Sequence, residues 1–191
     1  SVGNREVREI RVYKSSFMSA EHLDWIPKRG VISIVGDYRF PIGTTKFLSP
    51  RRKEAFNRII GTIGYTDPSV VYGMPSEGVN LNILMAISQV DEVKPIMVNP
   101  CPGFFEYLTH ESKALLRQLI EDLPQTITVK SKPGALDQRT KILEESLHFM
   151  ARNSDAIFLI YNSKDKTKRF AEIENILMKH EGKTIHVDYA I

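Results

Sequence analysis

The 191-residue chain has a single cysteine, Cys101. A lone thiol rules out an intramolecular disulfide framework, and a reducing cytoplasm is the compartment expected for it. No apolar run approaches the roughly 18 residues needed to span a bilayer, so no membrane partner is expected. The opening stretch Ser1-Val2-Gly3-Asn4-Arg5-Glu6 lacks the apolar core of a secretory signal. Neither sign of charge dominates: 26 Lys and Arg against 23 Asp and Glu leave a formal charge of +3. That balance does not fit a polybasic nucleic-acid or membrane-surface binder. The five histidines are scattered, with no HExxH and no Cys/His cluster, so no metal is expected, and no cofactor is implied. Walker A, GxGxxG and GxSxG motifs are all missing, as are internal repeats and low-complexity segments.

What is present reads as one well-filled globular domain, with 42% hydrophobic and 26% charged residues. Residues 1–30 form an N-terminal arm. Within it, Glu9 to Tyr13 alternates as a short strand does, and His22-Leu23-Asp24-Trp25-Ile26-Pro27 offers Trp25 to the domain surface. Residues 31–191 then alternate strand and helix. Short apolar, β-branched runs mark strands at Val31–Val35, Ser69–Tyr72, Pro95–Val98, Thr126–Val129, Ala156–Ile160 and Thr184–Val187. Between them, apolar residues recur at helical spacing in five segments, including Ala55 to Ile63, Val79 to Val90 and Leu136 to Met150. Five strand–helix units and a closing strand predict an α/β fold. With right-handed crossovers, that is a Rossmann-like three-layer sandwich with a mainly parallel sheet. Ligands of such folds sit beyond the C-terminal strand ends, which directs attention to the loops after Val35, Tyr72, Val98 and Ile160.

The loop after Val35 holds Gly36, Asp37, Arg39, Gly43, Thr44, Thr45 and Lys46. Glycines admit a phosphate to the backbone, and Arg39 offers two parallel donors to grip it. The loop after Tyr72 is Gly73-Met74-Pro75-Ser76-Glu77-Gly78-Val79-Asn80, in which Ser76 caps a helix or meets an anion and Glu77 complements the helix dipole or the ligand. The loop after Val98 is stiffened by Pro100 and Pro102; Asn99 can face a ligand, Cys101 has no local histidine to act as its base, and Phe104 and Phe105 either pack or stack.

The loop after Ile160, Tyr161-Asn162-Ser163-Lys164-Asp165-Lys166-Thr167-Lys168-Arg169, opens a helix with four cations and one acid. Cations there oppose the helix dipole, at a cost of a few tenths of a kcal/mol each. Arg51, Arg52 and Lys53 repeat the violation at the first helix. Both breaches fall at the expected ligand edge and point to an anion; a solvated charge run accounts for the same residues. Glu172 and Glu174 follow, two positions apart, so only one of them can face the site. Arg139 stands near the start of the helix that precedes the Ala156 strand.

These segments resemble the SLOG superfamily, the Rossmann-like group that includes LOG-type nucleotide phosphoribohydrolases and DprA-like DNA-processing proteins. The opening strand with its Gly36-Asp37-Tyr38-Arg39 turn, the strand and glycine turn Val70 to Asn80, and the Arg139 helix followed by the Asp155-led strand carry the resemblance. LOG-type enzymes have a Pro-Gly-Gly-x-Gly-Thr-x-x-Glu loop where this chain has Tyr161 to Thr167 without a glycine. Thr167 can stand for the family threonine, and Glu172 lies two residues beyond the glutamate. Nucleoside deoxyribosyltransferases, a neighbouring fold, have a similar Asp, Thr and Glu ending.

The resulting expectation is a nucleotide-derived, phosphorylated small-molecule ligand. Its contacts are drawn from Gly36, Asp37, Arg39, Gly73, Met74, Ser76, Gly78, Asn80, Asn99, Arg139, Asn162 and Thr167. An alternative is hydrolysis of an N-glycosidic bond, as in a nucleoside monophosphate phosphoribohydrolase, with Glu172 or Glu77 as the catalytic carboxylate. A further alternative is DprA-like binding of single-stranded DNA, against which the low net charge counts. The resemblance also implies a homodimer.

Overall fold

The computed structural model describes residues 8–11, 23–36, 57, 60–75, 84, 86–87, 92–107, 110–122, 125–129, 139–161, 163–164, 166, 170–180 and 182–188. The strands are β1 (Arg8–Arg11), β2 (Val31–Gly36), β3 (Val70–Gly73), β4 (Lys94–Asn99), β5 (Thr126–Thr128), β6 (Ala156–Tyr161) and β7 (Thr184–Asp188). The helices are α1 (His110–Asp122), α2 (Arg139–Arg152) and α3 (Phe170–Met178), with a 3-10 turn at Phe104–Tyr107. Residues 57, 60–65, 84 and 86–87 are also helical. The six strands of the α/β body run in the order β7-β6-β2-β3-β4-β5, and β1 from the N-terminal arm joins the β7 edge as a seventh. Every pairing is parallel. The strands expected from the sequence are all found, and the sheet is the Rossmann-like one.

Both faces of the sheet are covered. On one, Leu143, Leu147 and Met150 of α2 and Phe170, Ile173 and Leu177 of α3 pack with Val35, Ile157, Leu159 and Tyr161. On the other, Ile63 and Ile87 from the helical segments pack with Ile32, Ile34, Val71, Phe158, Ile185 and Val187. Leu23 and Ile26 of the arm belong to this second core, and Trp25 lies partly buried against it. The arm is therefore docked at two places, by strand pairing and by apolar contact. Among the described residues, no helix is long and apolar enough to cross a membrane.

At the N-terminal ends of the strands, three residues take the left-handed backbone conformation that disfavours a side chain: Arg29 (φ 60°), Asp67 (φ 46°) and Glu92 (φ 70°). Each such residue costs about 1 kcal/mol or more. One side chain ties them together. The Arg29 guanidinium donates to Asp67 Oδ1 at 3.3 Å, to the Pro68 carbonyl at 3.2 Å and to the Glu92 carbonyl at 2.7 Å, while its own backbone N–H donates to the Asp67 carbonyl at 2.8 Å.

Next to this knot, the central strands are locked in register. Asp155 donates its N–H to the Val31 carbonyl at 2.7 Å, and its Oδ2 accepts the Val31 N–H at 2.8 Å. Gly30 leaves room for that carboxylate: a Cβ there would lie 2.7 Å from the Pro27 carbonyl oxygen and 2.8 Å from Asp155 Oδ2. Deeper in, the Ser33 and Ser154 hydroxyls bond each other and the Met150 carbonyl near the end of α2. Gly30→Ala should lower the unfolding free energy by about 1–3 kcal/mol, because the new methyl displaces backbone as well as side chain. Asp155→Ala should cost about 1 kcal/mol, since its bond to Val31 lies partly in solvent. Urea melts check both, and an unchanged midpoint for either would remove the junction from the stability argument.

Candidate functional site

The strand order has one reversal. From β2 the chain proceeds outward through β3, β4 and β5, then crosses back to place β6 on the other side of β2. A crevice opens at such a switch point beyond the C-terminal strand ends. Here the switch point lies between the end of β2, at Gly36, and the end of β6, where Ile160 is the register partner of Gly36. The loops after Val35 and Ile160, singled out from composition, leave the sheet on the two sides of this crevice.

Gly36 stands at the crevice and is buried. Asp37 and Arg39, which follow it, lie outside the described residues, as do Ser76, Glu77, Gly78, Asn80, Asn162 and Thr167. Arg139 is the first residue of α2, and its side chain is likewise outside them. Gly73 has a packing role: a Cβ there would sit 2.7–2.8 Å from three carbons of the fully buried Leu84 side chain. The glycine thus lets the following helix close on β3. Met74 is buried in the first core, so its side chain faces the interior. Asn99 accepts the Val129 N–H through its carbonyl at 2.9 Å. It ends β4, two strands and therefore about 10 Å from β2, at the periphery of the crevice. Cys101 and Phe104 are core residues, which removes the thiol from nucleophilic chemistry and assigns Phe104 to packing.

The β6 side of the crevice is the better defined. Ser163 donates its N–H to Asp188 Oδ1 at 3.0 Å, so the loop after β6 is tied to the end of β7. Asp188, whose carboxylate accepts it, is 1% exposed. Lys166 holds its ammonium 5.2 Å from the Tyr161 ring centroid and 4.7 Å from that of Phe170. The rings themselves are in contact, with centroids 4.5 Å apart. A cation over aromatic faces is stabilised by about 0.5–1 kcal/mol at an exposed site, so this positive charge has a preferred position at the mouth of β6.

The first turn of α3 carries Glu172, whose side chain is exposed. Glu174, two positions on, turns the other way: its Oε2 lies 3.7 Å from Nδ1 of His186 on β7. The same nitrogen is 3.2 Å from the Tyr161 hydroxyl. When Nδ1 is bare the phenol donates to it; when it carries a proton the ring donates to the phenol or the carboxylate oxygen. His186 and Tyr161 are buried, so a phenol, an imidazole and a carboxylate form a polar cluster beneath the loop that carries Lys166. The sequence reading passed over His186 and Asp188. A signal for them existed: Thr184, His186 and Asp188 alternate along one face of β7, and every residue of that strand is buried.

Comparison with known proteins returns no matching family model and no matching curated protein. The site therefore rests on topology and on the residues that the fold brings to one edge. Asp188→Ala should leave the Ser163 N–H without its carboxylate acceptor and lower stability by about 1–3 kcal/mol. Amide exchange at Ser163 should accelerate in that variant relative to Leu159 in mid-sheet; equal acceleration at both would mean that Asp188 supports the whole sheet and not this loop.

Proposed function

We propose that the protein binds a nucleotide-derived, phosphorylated ligand in the crevice between the C-terminal ends of β2 and β6. The observation that carries this reading is the coincidence of the topological switch point with the two loops richest in glycine or cations. Gly36 lets backbone approach a phosphate, Arg39 follows it in the chain, and Lys166 supplies a charge steadied by two rings. The N-terminus of α3 enters from the same edge and favours an anion. Asp37, Asn162 and Thr167 flank the crevice in sequence and supply polar contacts to the sugar or base. The resemblance to the SLOG superfamily supports the same placement and implies a homodimer, and the lone Cys101 fits a reducing cytoplasm.

A second reading, hydrolysis of an N-glycosidic bond, is favoured by the place of Glu172. An exposed carboxylate in the first turn of α3, directly after the crevice loop, is free to approach a sugar. There it would stabilise the oxocarbenium-like transition state or attack the anomeric carbon. Glu77 holds the equivalent place after β3 in the sequence.

A thermal-shift panel of nucleotides, cyclic nucleotides and ADP-ribose derivatives tests the first reading. A ligand at 100 times its Kd should add about 2.7 kcal/mol of stability. Arg39→Ala and Lys166→Gln should each reduce that gain while leaving the ligand-free melting temperature within about 2 °C. No stabilisation by any member of the panel would sink the binding reading. For the second, the hit is incubated and its products separated. Release of free base that stops in Glu172→Gln supports hydrolysis, and recovery of intact ligand after long incubation rejects it.

A further inference from the structure

At the opposite edge of the sheet, where α2 ends and the chain turns out of α3, two histidines meet. His148 Nδ1 and His180 Nε2 are 3.0 Å apart, and the rings lie with centroids 5.2 Å apart. A hydrogen bond of that length between two imidazoles requires one nitrogen to carry the proton and the other to be bare. His180 is fixed in place by its backbone, which donates to the Leu177 carbonyl at 3.0 Å and accepts from the Lys183 N–H at 3.4 Å. A second tie runs alongside: Lys183 Nζ donates to the Ala151 carbonyl at 3.2 Å.

The surroundings of the pair are lopsided. Among the described residues, α2 contributes Glu144, whose Oε1 is 3.6 Å from His148 Nε2, and Arg152. The segment after α3 contributes Lys179 and Lys183. Among the described residues, Glu144 thus lies against His148, while the cations act on His180. Burial, the His148 ring and then Lys183, Arg152 and Lys179 together hold His180 below its ordinary value of 6.5.

We propose that the His148–His180 pair is an acid-sensitive latch, closed when at most one ring is protonated, which fastens the end of α2 to the turn after α3 and parts when both rings are charged. Two like charges 3.0 Å apart repel in a place where Lys183, Arg152 and Lys179 already oppose a charge on His180, and the hydrogen bond between them is lost because neither nitrogen can accept. The sheet is untouched by this change, since its registers are held by backbone pairing and by the Asp155 junction at the start of β6. α2 and α3 both enter from the ligand edge, so the latch also governs how firmly the two helices are held side by side.

The sign of the pH dependence follows from His180. Its value in the folded state is lowered, so the open or unfolded state binds more protons. The latch is fully closed above the ordinary histidine range, and its contribution is lost as the pH falls through that range and then through the lower value in the folded state. The measurement is amide protection by hydrogen exchange on the full chain, corrected for intrinsic rates, at about pH 7.5 and about pH 5.5. Protection at Asn153, His180 and Lys183 should fall by about tenfold or more on acidification, while Ile32 and Leu159 in the central strands keep theirs. In His180→Gln, which bonds without titrating, that fall should disappear. In His148→Gln, the His180 titration followed by NMR should move to higher pH. A uniform fall across β2 and β6, the same local fall in His180→Gln, or a His180 midpoint unmoved by His148→Gln would each overturn the latch.

Discussion

Everything at the candidate site depends on how β2 meets β6, and that meeting is set at its far end. The two-way bond between Val31 and Asp155 fixes which residue of one strand faces which residue of the other. From there the ladder runs through Ile32 and Ala156 to Gly36 and Ile160, a span of about 16 Å at 3.3 Å per residue. A slip of one residue would turn every side chain of one strand over. It would bury Ser33 among the apolar residues of the second core and point Ile32 at Ser154. The absence of a side chain at Gly30 is what lets the Asp155 carboxylate reach its place, so a gap in one chain segment governs the alignment of Gly36 six residues further along.

The two cores divide the work differently. The second gathers aliphatic and aromatic residues from Leu23 to Val187. The first admits polar groups at its ends: Ser33, Ser154 and the Met150 carbonyl near the start of β6, and Tyr161, His186 and Glu174 towards its finish. These groups are mutually bonded, which limits the cost of placing them under helices. They also mark the face of the sheet on which α2 and α3 lie as the one with titratable chemistry at both extremes, His186 near the candidate ligand edge and the His148–His180 pair at the other.

The elements were legible because parallel strands covered on both faces must be apolar at every position. Ala156–Tyr161, buried throughout, is the plainest case. Strand order was not legible, since β2 and β6 are brought together across more than a hundred residues and nothing local encodes their pairing. The glycine at position 73 was visible as a requirement, but its cause is the fully buried Leu84, which only the packed structure supplies. Met74 looked like a loop residue and is a core residue. Helical spacing showed that Glu172 and Glu174 diverge. Which one points inward is decided by His186, a residue on another strand. The excess of cations after Ile160 was plain, and the two rings that give Lys166 a resting place were apparent only in three dimensions.

The edge strand β1 has a consequence for how the molecule is made. Its partner is β7, so Arg8 meets Ile185 and Arg11 meets Asp188, contacts between nearly opposite ends of the described chain. The β1–β7 pairing cannot form until β7 has been synthesised, because Arg8 waits for Ile185. The interior pairs β2 with β3 and β3 with β4 close shorter loops than the β6–β2 pairing, which needs the long crossover. Until β7 is in place, β1 lacks the strand it pairs with. That interval leaves four residues of strand without their β7 partner, a state in which a strand edge can pair with another chain.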